Sequence, residues 1–437
     1  MLFRQFVDED LGCGSYLIGD PGTGDAVVVD PALAIEQYLE AAAEAGVEIH
    51  RVLETHTHAD HLSGHGRLAL EHGVAVSIHP VAAPEYPFAP LGDGEVVQVG
   101  DVAIRVVHTP GHRPEHCAFV VDDALVLTGD SLFVGDAARP DLAVAAKEGA
   151  HDLFHSLALL AELGDGVKVY PGHVAGSLCG AAMRPDHSST IGRERETNTA
   201  LAFDDEQEFV LANASISTPR PPTTEQLVAL NRGPWVALPA LPSELSDAGG
   251  RTVLDVRPFT QHAAGHLPGA LSVPVSASSF GTKAAFVLDT GEPIVLHASS
   301  REEATEAAWG LWAVGLLDLA GYILSADATE TLATIDVAEL KRLLDQGTVQ
   351  LIDVREAGER DLGYIPGSRN IPYRLLRRTG AESLDATLPV VTICEGGQRA
   401  AIAASLLQSK GFDASAVVDG GIPDFDGEMI SFRRCGT

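Results

Sequence analysis

The first part of the chain alternates short apolar runs with longer segments in which apolar residues recur at helical spacing. Runs rich in β-branched residues predict strands at residues 26–29, 51–54, 75–78, 117–121 and 124–128. Helical spacing predicts helices at residues 35–45, 63–72 and 152–163, the first two ended by a glycine. Asp122 and Asp123 separate two of the strands and predict a tight hairpin turn. The alternation predicts an α/β fold for this part of the chain.

The pattern changes near residue 240, where Pro234, Pro239 and Pro242 interrupt it, and the rest of the chain contains an internal repeat. Residues 252–257 match 350–355, residues 265–270 match 363–368, and residues 293–297 match 389–393. Two related α/β domains in tandem explain this similarity. A chain of 437 residues is also too long for one core. We therefore predict three domains, at residues 1–242, 243–330 and 334–437.

The densest cluster of metal-ligand residue types comes directly after the strand predicted at residues 51–54. His56, His58, Asp60 and His61 fall within six positions. Neutral imidazole and carboxylate groups are the usual ligands of zinc, iron and manganese. Alternation along an extended backbone directs His56 and His58 to one side, and a turn would bring Asp60 and His61 back toward it. The spacing therefore predicts a metal site at the end of this strand.

Three further candidate ligands follow other strand-like runs, in each case after a proline or glycine. They are His112, Asp130 and His173. Asp30 ends the strand at residues 26–29 and fits the same scheme as a supporting carboxylate. This ordered set resembles the metallo-β-lactamase fold, a β-sandwich flanked by helices (αββα) with its metal site along one edge. The resemblance covers roughly residues 1–240 and implies that fold for the first domain.

A second candidate site follows the strand predicted at residues 390–393, where Cys394 begins a loop that leads into a helix at residues 400–410. A cysteine in this position lies close to backbone N–H groups and to the positive end of the helix, which both favour the reactive thiolate. Glycines let the backbone curl around the sulfur, and an arginine can bind an anion such as sulfite or thiosulfate. We assign substrate binding to Glu395, Gly396, Gly397, Gln398 and Arg399.

The Cys394 loop resembles the six-residue Cys-x-x-x-x-Arg active loop of the rhodaneses, and both repeats carry a strand ending in Asp-Val-Arg. The resemblance implies an active sulfurtransferase domain in which Cys394 and Arg399 are catalytic. The first repeat departs from it, because Ala298 aligns with Cys394 and no cysteine lies between Cys179 and Cys394. We therefore expect an inactive rhodanese-like domain with a packing or docking role.

Composition excludes several classes of function. The formal net charge of −32 argues against binding to nucleic acid or to an anionic membrane surface. No apolar run reaches the roughly 18–20 residues of a transmembrane helix, and the first ten residues lack the apolar stretch of a signal peptide. Five scattered cysteines suit reduced thiols better than a disulfide framework. We expect a cytoplasmic protein.

The ligand types alone leave two kinds of metal site open. A dinuclear zinc hydrolase would use His56, His58 and His112 for one metal, Asp60, His61 and His173 for the other, and Asp130 as the bridge. A mononuclear iron oxygenase would need only two histidines and one carboxylate.

Residues 55–64 and 128–141 resemble the persulfide dioxygenases of this superfamily. That resemblance implies one Fe(II) per chain on His56, His112 and Asp130, with zinc as the alternative metal. The remaining candidates are His58, Asp60, His61 and His173. Of these, Asp60, His61 and His173 would orient ligands or move protons. In glyoxalase II, the hydrolase alternative, a helical substrate-binding domain would follow the sandwich, whereas rhodanese-like repeats follow it here.

Over nearly its whole length the chain resembles the bacterial persulfide dioxygenase–rhodanese fusions. The resemblance implies that O₂ oxidises a low-molecular-weight thiol persulfide to sulfite and free thiol, and that Cys394 transfers sulfane sulfur to sulfite, giving thiosulfate. The product of one site would then be the substrate of the other. Glutathione, coenzyme A, bacillithiol and mycothiol all remain candidates for the thiol, and the direction of sulfur flow stays open. We also expect a homo-oligomer.

Overall fold

The computed structural model describes residues 1–141, 143–174, 183–214, 219–324 and 328–431. The chain divides into two compact units. The first consists of Met1–Arg220, Thr224–Leu238 and Ala313–Gly315. The second consists of Pro221–Thr223, Pro239–Trp312 and Leu316–Thr437. The domain boundaries at residues 242 and 330 stay predictions.

The first unit contains two six-stranded sheets. Strands of the first sheet follow one another in chain order, antiparallel from β1 to β3 and parallel from β3 to β6. They are β1 (Leu2–Asp8), β2 (Cys13–Asp20), β3 (Asp25–Val29), β4 (Glu48–Leu53), β5 (Ala75–Ile78) and β6 (Ala89–Pro90).

The second sheet also follows chain order and is antiparallel except between β10 and β11. Its strands are β7 (Val96–Val99), β8 (Val102–His108), β9 (Cys117–Val121), β10 (Leu125–Gly129), β11 (Lys168–Pro171) and β12 (Ser189–Thr190). Asp122 and Asp123, at φ values of 48° and 53°, form the predicted hairpin turn between β9 and β10.

Helices cover the outer faces of the two sheets. They are α1 (Glu36–Ala45), α2 (His65–His72), α3 (Ala146–Ala161), α4 (Ile191–Thr197), α5 (Glu206–Ala214) and α6 (Thr224–Arg232), with 3₁₀ turns at Pro80–Ala82 and Ala200–Ala202. One apolar core, which includes Ile18, Val29 and Phe119, lies between the sheets. A second joins the first sheet to α1 and α2, and a third joins the second sheet to α3 and α5. The layers are therefore αββα, as predicted.

The helix predicted at residues 152–163 begins earlier, at Ala146. The prediction started from the apolar residues near Leu153 and did not extend the helix through Gly149. In the structure Gly149 lies inside α3, where an added Cβ would lie 2.1 Å from the Pro140 carbonyl oxygen. This glycine allows close packing and does not end the helix.

The second unit contains both repeats, each built on a parallel sheet. The first repeat has strand order β14-β13-β15-β16. Its elements are β13 (Thr252–Asp255), α7 (Phe259–Ala264), β14 (Leu271–Ser272), α8 (Phe280–Val287), β15 (Ile294–His297), α9 (Arg301–Ala313) and β16 (Leu319–Ile323).

The second repeat has strand order β17-β21-β20-β18-β19. Its strands are β17 (Ala333–Asp336), β18 (Gln350–Asp353), β19 (Arg369–Asn370), β20 (Val390–Ile393) and β21 (Ala414–Asp419). Its helices are α10 (Val337–Gln346), α11 (Ala357–Leu362), α12 (Tyr373–Leu376) and α13 (Gln398–Ser409), with 3₁₀ turns at Ala381–Ser383 and Ile422–Asp424. None of the helices in the described residues combines the length and apolar character needed to cross a membrane.

Candidate metal centre and cysteine loop

Five strand ends deliver the predicted ligands to one edge of the sandwich. Asp30 follows β3, and the segment from His56 to His61 follows β4. The other three ligands come from the second sheet, with His112 after β8, Asp130 after β10 and His173 after β11. All of these histidines and aspartates except Asp60 are buried.

A buried chain of hydrogen bonds orients His56. Asp30 accepts hydrogen bonds from the Thr55 backbone N–H at 2.7 Å and from the Thr55 hydroxyl at 2.8 Å. The hydroxyl oxygen in turn lies 2.8 Å from His56 Nδ1, which therefore carries the proton. His56 Nε2 is left as the lone-pair atom. Asp30 thus has the supporting position that the sequence predicts.

His112 and Asp130 are held in a similar way. His112 Nδ1 donates to the Arg139 carbonyl oxygen at 3.0 Å, which leaves Nε2 as a possible ligand atom. The backbone N–H of Asp130 donates to His116 Nε2 at 2.9 Å. Asp130 Oδ1 accepts a hydrogen bond from His173 Nδ1 at 2.7 Å, which leaves Asp130 Oδ2 as a possible ligand atom.

The three possible ligand atoms, one each from His56, His112 and Asp130, lie close together. Asp130 Oδ2 lies 3.9 Å from His56 Nε2 and 3.4 Å from His112 Nε2. Among the described residues, His56 Nε2 and Asp130 Oδ2 are buried without a hydrogen-bond partner. A buried polar atom without a partner is costly, and a bound cation would satisfy both. This donor set of two histidines and one carboxylate fits a metal ion.

His58 has a different environment from His56. Its Nε2 lies 3.0 Å from Glu54 Oε2 and 3.3 Å from Asp30 Oδ1. Burial opposes protonation, but the hydrogen bonds and charges of Asp30 and Glu54 outweigh it and raise the pKa of His58 well above its ordinary value. His58 Nδ1 has no partner among the described residues. A protonated imidazole has no lone pair for a metal, so this atom can bind one only after His58 loses its proton.

His173 lies between two carboxylates. Its Nδ1 bonds to Asp130, and its Nε2 lies 2.7 Å from Asp60 Oδ2. Cys13 joins the same group, since its Sγ lies 3.3 Å from His173 Nε2, 3.5 Å from Asp60 Oδ2 and 3.5 Å from His61 Nδ1. Burial raises the pKa of the Cys13 thiol well above its ordinary value. Cys13 is a buried core residue that also borders the site.

The local electrostatics favour the neutral form of the two histidines in this donor set, which is the form that binds a cation. Burial lowers the pKa of His56 well below its ordinary value, and the neighbouring histidines add to the effect. Burial also lowers the pKa of His112, although Asp130 opposes it. Burial raises the pKa of Asp130, but His173 outweighs it and holds that pKa low. Neutral imidazoles and an ionised carboxylate are the protonation states that bind metals.

Several supporting residues were not predicted. Glu54 accepts from the Ser63 hydroxyl at 2.6 Å and bonds to His65 Nδ1 at 2.8 Å, in addition to His58. Asn231 Nδ2 donates to the carbonyl oxygens of His58 and His61 at 2.9 and 2.8 Å. Glu54 and His65 flank the histidine motif and could have been found from their proximity in sequence. Asn231 lies 170 positions from His61 and carried no sequence signal.

The cysteine loop has the predicted form. Cys394 follows β20 and is 2% exposed, and α13 begins at Gln398. The backbone N–H of Gly397 donates to Cys394 Sγ at 3.1 Å. Gly397 has a φ of 89°, and an added Cβ would lie 2.8 Å from the Val418 carbonyl oxygen. A glycine is therefore needed for the loop to curl around the sulfur.

Arg399 makes an ion pair that was not predicted. Its two terminal nitrogens lie 2.6 and 2.7 Å from the carboxylate oxygens of Glu359, on α11. Burial opposes the charge of Arg399, but Glu359 outweighs it and raises the pKa of the guanidinium. This pair balances much of the charge of Arg399, and anion binding by Arg399 stays a prediction.

In the first repeat Ala298 is fully buried where the second repeat has Cys394. The backbone N–H of Ser299, next in the chain, donates to the carboxylate of Glu303 at 2.5 Å. The first repeat therefore lacks the thiol, and a carboxylate occupies one N–H group of its loop.

Comparison with known proteins agrees with this architecture. The metallo-beta-lactamase superfamily model matches residues 9–173, and the rhodanese-like domain model matches residues 240–325 and 336–428. The chain belongs to the metallo-β-lactamase superfamily and carries tandem rhodanese-like domains in its C-terminal part.

Two curated relatives and one crystal structure define the similarity further. The persulfide dioxygenase ETHE1 of Bos taurus is 29% identical over 53% of this chain and 87% of its own length. A hydroxyacylglutathione hydrolase of Rhizobium johnstonii is 31% identical over 42% of this chain and 80% of its own length. A metallo-beta-lactamase structure from Staphylococcus aureus is 29% identical with a TM-score of 0.68, over 74% of this chain and 98% of that one.

Proposed function

We propose that the chain is a persulfide dioxygenase joined to a sulfurtransferase. At the sandwich site, a thiol persulfide (RSSH), O₂ and water give the thiol (RSH), sulfite and two protons. At the rhodanese site, the Cys394 thiolate attacks the outer sulfur of a second thiol persulfide, the thiol leaves, and Cys394 carries the sulfane sulfur as a persulfide. Sulfite attacks the outer sulfur, the S–S bond breaks, and the products are thiosulfate and the Cys394 thiolate. The persulfide dioxygenase relative and the rhodanese-like domains support this proposal.

The dioxygenase part of this proposal rests on the close approach of His56 Nε2, His112 Nε2 and Asp130 Oδ2. Two histidines and one carboxylate are the ligand set of mononuclear iron oxygenases, which keep open positions for O₂ and substrate. His173, a ligand in the two-metal alternative, has both ring nitrogens engaged by Asp60 and Asp130. One Fe(II) per chain is therefore the metal we infer.

Bound iron would supply a redox centre at which O₂ and the persulfide sulfur meet. The protein's own residues would orient the metal ligands and move protons. Asp30 and Thr55 fix the tautomer of His56, and the Arg139 carbonyl oxygen fixes that of His112. His173 and Asp60 form a short hydrogen-bonded path from Asp130 outward. The side chain of Asp60 is 26% exposed, so this path can pass the released protons to solvent.

Metal content and O₂ uptake test the sandwich site. Protein purified without oxygen should contain one iron per chain and consume O₂ when given a thiol persulfide. His56→Ala should abolish O₂ uptake and leave sulfur transfer from thiosulfate to cyanide largely intact. His72→Ala, which removes an exposed histidine on α2, is the matched control and should retain both activities. Two tightly bound zinc ions together with thioester hydrolysis would contradict the proposal.

A zinc hydrolase with a fused sulfurtransferase is the second candidate. A specific feature favours it, because Cys13, Asp60 and His61 form another group of donor atoms beside the first. The similarity to a hydroxyacylglutathione hydrolase also supports it. Hydrolysis of a glutathione thioester that requires zinc and is lost in Asp60→Asn, with no O₂ uptake, would establish this candidate instead.

A further inference from the structure

A separate group of metal-ligand side chains lies on the surface of the first unit. His151 and His155 stand four positions apart on α3, so they face the same side of the helix. Glu206, in the first turn of α5, faces them. His151 Nδ1 lies 2.6 Å from Glu206 Oε1, and His155 Nε2 lies 3.4 Å from Glu206 Oε2. One donor atom from each residue falls within 4.8 Å of the others.

The two helices hold these donors in place. Phe154 on α3 packs against Phe209 on α5, with ring centroids 5.4 Å apart, and both belong to the apolar core beneath the helices. The His151 and His155 rings contact each other edge to face at 4.7 Å. Binding would therefore require small side-chain rotations and no backbone change, which keeps the entropic cost low.

We propose that His151, His155 and Glu206 form a surface site for a divalent transition-metal ion such as Zn²⁺ or Ni²⁺. Two histidines and one glutamate are a known zinc ligand set that leaves a position for water. The His151 and His155 side chains are 51% and 57% exposed, so an ion can reach them directly from solvent. The ion would also link α3 to α5.

Calorimetric titration with Zn²⁺ tests the site in the full-length protein. Wild type should bind one more Zn²⁺ per chain than His151→Asn/His155→Asn, whatever the sandwich site takes up, because that site is the same in both. Glu206→Gln should weaken this binding at least about tenfold, and His72→Asn should leave it unchanged. Equal stoichiometry in wild type and the double variant would overturn the proposal. These substitutions are on the surface, so folding should survive them.

A second, independent observation concerns the repeat that lacks a cysteine. Lys283, on α8 of that repeat, is 9% exposed, which is unusual for a lysine. Its Nζ donates to Gln398 Oε1 at 3.0 Å and to the Ser278 carbonyl oxygen. Gln398 is the first residue of α13 and directly follows Gly397, whose N–H donates to Cys394 Sγ. A buried cation of the first repeat thus holds the cysteine loop of the second.

Other contacts within the second unit fix the two repeats against each other. The Ser272 backbone N–H donates to the Ser405 hydroxyl at 3.0 Å. Arg377 lies 3.0 Å from Asp289 and 3.2 Å from Glu292. A cavity of about 290 Å³ lies between the repeats, lined by Phe259 and Pro274 on one side and by Gly396 and Gly397 on the other. The cysteine loop is thus supported from one side by the first repeat.

We infer that Lys283 is a positioning residue for the Cys394 loop, an inference that rests on the proposed sulfurtransferase function. Without the ammonium group, Gln398 loses its partner and the neighbouring Gly397 N–H, which donates to the sulfur, loses its fixed direction. Lys283→Met should then lower kcat for sulfur transfer about tenfold, less than the roughly hundredfold or greater cost of removing such a hydrogen-bond donor altogether, with little change in KM. It should also slow alkylation of Cys394 at fixed pH, measured on the Cys394 peptide by mass spectrometry.

Lys283→Arg, which can also donate to Gln398, should restore part of both rates. Lys341→Met removes an exposed lysine of the second repeat and should behave as wild type. The double variant Lys283→Met/Gln398→Met should be no worse than Lys283→Met, since the two residues act through one contact. Wild-type rates in Lys283→Met, or additive losses in the double variant, would overturn the inference. The alkylation rate remains informative even if wild type shows no sulfurtransferase activity.

Discussion

The two rhodanese-like repeats share a framework and differ at the loop. In the second repeat Arg355 pairs with Asp353 through two contacts of 3.0 and 2.8 Å, and in the first Arg257 pairs with Asp255 at 2.8 and 2.6 Å. Both arginines also donate to the carbonyl oxygen of the glycine eight positions later. This strand-end pair is part of the fold, because it is present with and without the nucleophile.

The differences concern the residues around the sulfur position. Where the second repeat pairs Arg399 with Glu359, the first has Glu303 and Gln261 at the aligned positions. Arg360 lies over the Tyr364 ring at 3.9 Å, whereas the first repeat stacks His262 on His266 at the same centroid distance. The first repeat thus has a carboxylate at the position of Arg399 and lacks the thiol. Its Glu303 carboxylate accepts a loop N–H that would otherwise be free for an anion.

Removal of the thiol should have the largest effect. Cys394→Ala in the full-length chain should reduce thiosulfate:cyanide sulfurtransfer to background, because Ala298 leaves the first repeat without a substitute nucleophile. The measurement is the rate of thiocyanate formation. Activity in this variant would mean that another residue carries sulfur, which would end the contrast between an active and a silent repeat.

Loss of the ion pair should have an intermediate effect. Glu359→Gln leaves Arg399 with a neutral partner and should lower the free energy of unfolding of the second unit by about 1–3 kcal/mol, measured by urea denaturation. Burial raises the pKa of Glu359, but Arg399 outweighs it and holds the pKa below its ordinary value. The ion pair therefore stabilises the protein above the unfolded glutamate pKa, about 4.3, and its contribution disappears as pH falls through the lower folded value.

The pH dependence of this difference in stability is the control for that prediction. The stability difference between wild type and Glu359→Gln should shrink on acidification below about pH 4. A difference that stays constant down to pH 3 would mean that the ion pair contributes packing only.

Restoring a thiol to the first repeat should have the smallest effect. Ala298→Cys/Cys394→Ala should show no more sulfur transfer than Cys394→Ala alone, since Glu303 occupies the loop and Glu302 adds a second carboxylate to the first turn of α9. Both variants are compared in one thiocyanate assay. Clear turnover by the double variant would show that the thiol was the only difference that mattered.

The architecture and the clustering of the main candidate ligands could be predicted from the sequence because both follow local rules. A polar residue that follows a buried strand lies at the sheet edge, and this rule located His56, His112, Asp130 and His173 without any structure. It could not locate Cys13, because a backbone bridge between Cys13 and His173 brings the start of β2 to the site from 160 positions away.

The environment of Arg399 was predicted incompletely for a related reason. The loop predicted a cation, and the structure places Glu359 against it from 40 positions away. The repeat held an unused signal, since Arg399 and Glu359 become Glu303 and Gln261 together. Two positions that change in a compensating way suggest contact. Lys283 carried no such signal, because a lysine in a helix is ordinarily exposed.

Product analysis tests most directly the claim that the two sites act in sequence. Wild-type protein given only a thiol persulfide and O₂ should accumulate thiosulfate. Cys394→Ala should take up O₂ at the same rate, because its metal ligands are untouched, and should release mainly sulfite. Early time points are compared, because sulfite also reacts slowly with excess persulfide without an enzyme. Equal thiosulfate-to-sulfite ratios in the two proteins at those times would contradict the account.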